Sequence, residues 1–270
     1  MLLTKHHGLG NDFLVALSRT NPTRPGGLEP DPELAARLCD RHFGLGADGL
    51  LWGLPPSGTG DLRMVLHNSD GSEAEISGNG IRCLAQAHLR SLGVAWGTVT
   101  IETPAGVRTL ECEATSDVDR IQVSVDMGVV GAGPEIPGNV RSEVASRFGD
   151  RFISRSIGNP HLVIGVESLD GIDIATVGRQ LEASFSDGIN VHLFEQLGVD
   201  HLRVVHWERG AGVTLACGSG ASVTAEAAHR WGLVGAECLL DLPGGQARVQ
   251  VGETVVLTGP AQYVADVVIP

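Results

Sequence analysis

Two short loops carry the residues best suited to proton chemistry. "SGNG" places Ser77 ahead of Gly78, Asn79 and Gly80, and "CGSG" places Cys217 ahead of Gly218, Ser219 and Gly220. Each loop opens a stretch of helical periodicity. The backbone N–H groups of a helix's first turn lack intrahelical partners, and the helix dipole adds partial positive charge there. Such a start holds a carboxylate or phosphate without a basic side chain. A thiol in that position is expected to have a lowered pKa and to act as base or nucleophile near neutral pH. Ser77 has no such prospect, because an alcohol is a far poorer base and no His-Asp relay adjoins it in sequence. Cys39, Cys83, Cys112 and Cys238 read as inert packing residues.

Other polar residues sit in or beside glycine-containing motifs. Asn11, Asn68, Asn159, Asn190 and Arg209 together make an amide array with one fixed cation. That set suits a zwitterionic amino acid, whose carboxylate needs donors and whose ammonium needs acceptors. His161 and Glu208 lie in the same motifs and are candidates to tune a thiol or accept its proton. Taken singly, a loop asparagine, a lone histidine or a glycine turn is ordinary structure. What lifts these residues above that reading is repetition.

The chain resembles itself. "GNDFLVAL" from Gly10 matches "GNPHLVIGV" from Gly158. "ADGLLW", with Asp48, matches "SDGINVHLF", with Asp187. "HNSDGSEAEISGNG" aligns without a gap on "WERGAGVTLACGSG", pairing Asn68 with Glu208 and Ser77 with Cys217. The three offsets are 148, 139 and 140 residues (158 − 10, 187 − 48, 217 − 77), in order along the chain. Two copies of one domain are therefore expected, 1–118 and 119–260, with a boundary in the polar stretch Asp117–Asp119 and a last strand, 261–270, returning to the first copy.

The elements follow from pattern. "VTIETPAGVRTLECEA", "RIQVSVDMGVV" and "ARVQVGETVVLTG" alternate β-branched and polar residues between turns and read as strands. Ile81, Leu84, Ala85, His88 and Leu89 share one helical face, with a stop at Gly93. Ala221, Thr224, Ala225, Ala228 and Trp231 do the same before Gly232. A third helix is opened by Asp31, with Pro32 in its first turn. "GLGADG" at 44–49 fits a dinucleotide pattern, but it follows a helix and precedes a strand, the reverse of the order that chemistry requires.

Composition narrows the class of partner. With 42% hydrophobic and 19% charged residues, the chain is a folded one. Its net charge of −13 argues against nucleic acid or an anionic membrane surface as partner. The apolar runs are too short to span a bilayer. Five widely spaced cysteines suit a reducing, cytoplasmic setting, and the spacing of His and Cys predicts no metal site.

"HGLGNDF", "FGLGADG", "HNSDGSE", "SGNGIRC", "GNPH", "DGINV", "ERGAGVTLACGSG" and "LTGPAQYVAD" resemble the diaminopimelate epimerase family, in order and over nearly the whole chain. The resemblance implies an α/β (α+β) fold of two pseudo-symmetric domains, each a β-barrel-like sheet around a central helix, with the active site in the cleft between them. It implies an epimerase of L,L- and meso-diaminopimelate on the route to lysine and peptidoglycan, using neither pyridoxal phosphate nor metal. Cys217 would be one of two cysteines acting on opposite faces of the substrate α-carbon, its partner falling at position 77. His161 and Glu208 would modulate the thiols and help hold the reacting amino group. Backbone amides at Gly78, Asn79, Gly218 and Ser219 would hold the reacting carboxylate, and Asn11, Asn68, Asn159, Asn190 and Arg209 mainly the distal end. Two positions depart from the pattern: Ser77 replaces the first catalytic cysteine, and Val213 replaces a glutamate. Three readings stay open: an epimerase impaired by Ser77, a related cofactor-independent racemase or dehydratase with Cys217 as sole thiol base, and a non-catalytic amino-acid-binding relative. The expected partner is a small diamino-dicarboxylic acid; the oligomeric state is left open, a homodimer being one expectation.

Overall fold

A computed structural model of the chain describes residues 1–22, 27–74 and 77–269; Glu75 and Ile76 of the aligned loop, and Pro270 of the expected last strand, lie outside the described residues. The chain forms two compact units, Met1–Val125 with Thr258–Pro270, and Asp126–Leu257. Asp117–Asp119, where the polar composition suggested a boundary, is the turn of a hairpin inside the first unit. Hairpin turns and linkers draw on the same residues, which is why composition alone does not separate them.

The first unit runs β1 (Leu2–Gly8), β2 (Asn11–Leu17), α1 (Pro32–Cys39), β3 (Gly49–Leu54), β4 (Leu62–Asn68), β5 (Glu73–Ala74), α2 (Gly78–Ser91), β6 (Gly97–Thr103), β7 (Gly106–Ala114) and β8 (Arg120–Gly128). The second runs β9 (Gly131–Ala132), α3 (Gly138–Phe148), β10 (Phe152–Ser156), β11 (Pro160–Gly165), α4 (Ile174–Glu182), β12 (Asn190–Gly198), β13 (His201–Glu208), β14 (Gly212–Val213), α5 (Gly218–Arg230), β15 (Glu237–Leu242), β16 (Gly245–Val251) and β17 (Val255–Val268). The chain passes from one unit to the other within β8 and β17.

In the first unit the pairings close a ring, β1-β2-β3-β4-β6-β7-β8-β17, with β17 returning to β1. β2/β3 and β4/β6 are parallel, and the other registered neighbours antiparallel. The second unit repeats these senses along β10-β11-β12-β13-β15-β16, with β11/β12 and β13/β15 parallel. The duplication read from three short matches is thus a duplication of topology.

α2 packs against β1, β2, β3, β4, β6 and β7, and α5 against β10, β11, β12, β15 and β16. Each is the central helix of its unit, so more than the expected single face is buried. Cys83, Ala87 and even Arg82 and Gln86 are shielded along with Ile81, Leu84, Ala85 and Leu89, while His88 is only half-buried. β3 is buried at all six residues, which explains the unbroken apolar run "LLWGL": α2 covers one face and α1 packs on the other. α1 starts where Asp31 accepts the Leu34 N–H at 3.0 Å, with Pro32 in its first turn. Both central helices end on a glycine at positive φ, Gly93 at 75° and Gly232 at 71°, a conformation that costs a residue without Cβ little. The GLGADG glycines wrap the end of α1, where the Gly44 N–H reaches the Asp40 carbonyl at 3.0 Å and the Leu45 N–H that of Leu38 at 2.8 Å.

Candidate active site

Ser77 and Cys217 are the N-caps of α2 and α5, equivalent in backbone and in role. The Ser77 hydroxyl accepts the Gly80 N–H at 3.0 Å, and Cys217 Sγ accepts the Gly220 N–H at 3.3 Å. Extended φ/ψ at each cap followed by glycine at the first and third helical positions lets the side chain fold back over the first turn. The environments of the two caps then diverge.

In the first unit the helix start is backed by a buried cation. Arg82, one turn into α2 and 1% exposed, donates to the Gly78 carbonyl at 2.9 Å, to Asn79 Oδ1 at 2.7 Å and to the Pro260 carbonyl at 3.4 Å. Asn79 donates to Asn11 Oδ1 at 3.2 Å, and the Asn11 amide donates to Asp48 Oδ2 at 2.5 Å. Asn68, at the end of β4, bonds to the Ser72 hydroxyl at 3.0 Å and carbonyl at 2.8 Å. Asn11 and Asn79 are thereby joined to the Ser77 loop, whereas Asn68 is held within its own turn.

In the second unit a connected set surrounds Cys217, which is 3% exposed. Its Sγ lies 3.6 Å from the Ser219 hydroxyl. That hydroxyl accepts from the Asn159 amide at 3.4 Å, and Asn159 Oδ1 meets His161 Nε2 at 2.7 Å. Glu208 hydrogen-bonds to the thiol and also accepts from the Thr214 hydroxyl. Asn190 clasps its neighbours, its amide donating to the Pro160 carbonyl at 2.8 Å and its Oδ1 accepting the Arg209 N–H at 3.0 Å. The Arg209 guanidinium donates to the Asp187 carbonyl at 3.1 Å. Val213 is half exposed on β14, opposite Trp207, and the Gly218 carbonyl is taken by Ser222 at 2.9 Å.

The expectation of a lowered Cys217 pKa is reversed. Burial pushes the thiol well above its ordinary value, the Glu208 charge and its hydrogen bond add to this, and the Ser219 and Gly220 donors pull against it. A helix start on the surface favours a thiolate; inside a barrel the loss of solvation outweighs the partial charge of the dipole. Cys39, Cys83, Cys112 and Cys238 are also buried, with their thiols pushed up to about 12. None of these four has a donor set like that at Cys217 among the described hydrogen bonds. His161 is not exposed at all, and burial, assisted by the Arg209 charge, depresses it to about 3. It is a neutral ring with both nitrogens engaged, linked to the thiol through Asn159 and Ser219 rather than directly.

Sequence reasoning missed Arg82, Thr214 and two further histidines, His192 and His206. Arg82 stands in the quoted loop, but an arginine in a helix normally signals a solvated face. His206 follows the in–out alternation of β13, and His192 lies in the first six residues of β12, all of them buried, so nothing in either strand alone distinguishes the two histidines.

The model of the family described as diaminopimelate epimerase matches residues 3–131 and 153–264. The diaminopimelate epimerase of Gloeothece citriformis is 41% identical over 280 residues, covering 97% of this chain and 96% of that protein. That of Methanothermobacter thermautotrophicus is 36% identical over 264 residues, covering 93% and 90%. Solved structures share the fold at lower identity. A hydroxyproline epimerase from Agrobacterium vitis superposes with a TM-score of 0.69 at 17% identity, covering 99% of this chain and 91% of that one. A phenazine biosynthesis protein from Bacillus anthracis gives 0.69 at 16%, covering 100% and 99%.

Proposed function

We propose that this chain, which belongs to the diaminopimelate epimerase family, interconverts the L,L and meso forms of diaminopimelate, with Cys217 as one of the two groups that exchange the α-proton. One observation carries the reading: the Cys217 thiol is set between the Glu208 carboxylate, which opposes its ionisation, and the Ser219 and Gly220 donors, which favour it. A substrate ammonium paired with Glu208 offsets the carboxylate charge, and the thiolate then forms against the α-carbon it is to deprotonate. Charge developing at that carbon and its carboxylate is stabilised by the helix-start amides of Gly78, Asn79, Gly218 and Ser219. Asn11, Asn68, Asn159, Asn190 and Arg209 recognise the distal amino-acid end.

Ser77 is assigned the place of the second acid/base. Its hydroxyl keeps the capping bond to Gly80 and hence the loop, but an alcohol neither ionises nor donates as readily as a thiol. The proton exchange is therefore crippled on one side. Five unbridged, buried thiols support a cytoplasmic setting, and a homodimer is the assembly we propose. The test is Ser77→Cys: its rate of L,L-to-meso conversion should exceed that of the serine chain by about 10²–10⁴-fold, the usual range for a general acid or base. Equal rates in the two proteins would overturn the assignment.

A further inference from the structure

Three histidines form a buried line across β11, β12 and β13. His161 Nδ1 lies 2.8 Å from His192 Nε2, and the His192 and His206 rings, paired across β12 and β13, have centroids 6.0 Å apart. All three are at most 1% exposed. Burial holds His206 at about 4, His161 at about 3 and His192 well below its ordinary value, so at neutral pH each ring carries a single N–H.

Single protons fix the direction of every bond. Asn159 Oδ1 is only an acceptor, so His161 donates through Nε2–H and its Nδ1 accepts. The proton in the His161–His192 bond then belongs to His192 Nε2. His192 Nδ1 is left bare, and it is indeed among the described buried atoms that have no hydrogen-bond partner. The same holds for His206, which bonds Thr214 Oγ1 through Nε2 at 2.9 Å while its Nδ1 has no partner. Two lines of donors thus leave the ring pair. One runs His192, His161, Asn159, Ser219 to Cys217 Sγ; the other runs His206, Thr214 to the Glu208 carboxylate.

The first unit shows that packing does not require these rings. β2/β3 pairs Phe13 with Gly49 as β11/β12 pairs His161 with Asn190, and β3/β4 pairs Leu51 with Leu66 as β12/β13 pairs His192 with His206. The residues matching the three histidines are therefore Phe13, Leu51 and Leu66. The matching strands thus carry three apolar residues in the first unit and three histidines in the second. Buried nitrogens without partners are a cost that an apolar residue avoids. Nor do the rings suggest a metal: among the described residues no group of three His, Cys, Asp or Glu is placed to hold one.

The geometry points to His192 as a positioning residue for the reaction: its Nε2–H, given to His161 Nδ1, reinforces the Nε2–H tautomer that Asn159 Oδ1 selects and starts an unbroken line of donors that ends on the Cys217 sulfur. The inference rests on the role given to Cys217 under the proposed function. Glu208 and Arg209 are the other charged groups acting on the thiol and on His161 respectively, and both remain unchanged in the test.

Two measurements test this, one on the chain as it stands and one on His192 variants of the full chain, and neither uses diaminopimelate. ¹⁵N NMR of histidine-labelled protein should show His161 as the Nε2–H tautomer; an Nδ1–H form overturns the inference whether or not any variant folds. The rate of Cys217 alkylation by iodoacetamide at fixed pH, followed at the Cys217 peptide, should fall about tenfold in His192→Leu, as it would if the thiol pKa rose by about one. Leucine is the residue the first unit carries at the matching position, and His192→Gln, which keeps an N–H donor, should restore most of the rate. A purely structural role for His192 predicts the opposite sign, because a loosened core exposes the thiol and speeds alkylation. An unchanged or faster rate in the leucine variant contradicts the proposal. Failure of the epimerase reading would appear separately, as absence of turnover in Ser77→Cys with the tautomer and alkylation results intact.

Discussion

At the scale of single residues, the thiol of Cys217 is governed by a contest between burial and two kinds of neighbour. Desolvation and the Glu208 charge raise its pKa; Ser219 and Gly220 lower it. Glu208→Gln removes the charge while keeping the shape. The Cys217 pKa should then fall, the thiolate fraction at a given pH should rise, and alkylation should accelerate, by about tenfold if the pKa drops by one. Epimerisation should slow in the same variant, since the group proposed to pair with the substrate ammonium is gone. A slower alkylation would show that Glu208 favours the thiolate instead. Cys217 and its loop were legible in the sequence because glycine-flanked helix starts are local features. The direction in which the thiol pKa moves was not, because burial is set by strands distant in the chain.

Elements decide how closely a cap can approach its surroundings. A Cβ added at Gly220 would overlap the His192 ring, whereas at Gly80 it would lie 3.1 Å from Ser77 Cβ and 3.4 Å from Phe13 Cζ. Gly220→Ala should therefore cost about 1–3 kcal/mol, as overpacked cores do. Gly80→Ala should stay within about 1 kcal/mol of the parent, since the helical preference of alanine offsets a small displacement. Urea midpoints of the pair measure the difference, and equal midpoints would show that His192 does not fill the space under α5. The central helices, their glycine stops and the Asp31 cap were readable from periodicity and local chemistry. The strand register was not: the match of Asp48 with Asp187 implies an offset of 139, whereas the pairings of Phe13 with Gly49 and His161 with Asn190 set it at 190 − 49 = 141. That two-residue difference hid the correspondence of Leu51 with His192, and with it the contrast between an apolar and a histidine stack.

For the molecule as a whole, duplication supplied two equivalent helix starts, and divergence made them chemically unequal. One start has a hydroxyl, a buried arginine and an apolar stack; the other has a thiol, a carboxylate and a line of donors. The repeat was visible in sequence because the loops kept their glycines, while the hairpin at Asp117–Asp119 resembled a linker because both are polar. The proposed role of Cys217 is that of a competent proton carrier whose partner at position 77 is missing. It is tested most directly by incubating the serine chain with L,L- and meso-diaminopimelate in heavy water and following α-deuterium and isomer ratio separately. Deuterium should enter one α-carbon of one isomer while the isomer ratio stays fixed, and the exchange should be lost in Cys217→Ala. Inversion keeping pace with exchange in the serine chain, or exchange that survives the loss of Cys217, would contradict it.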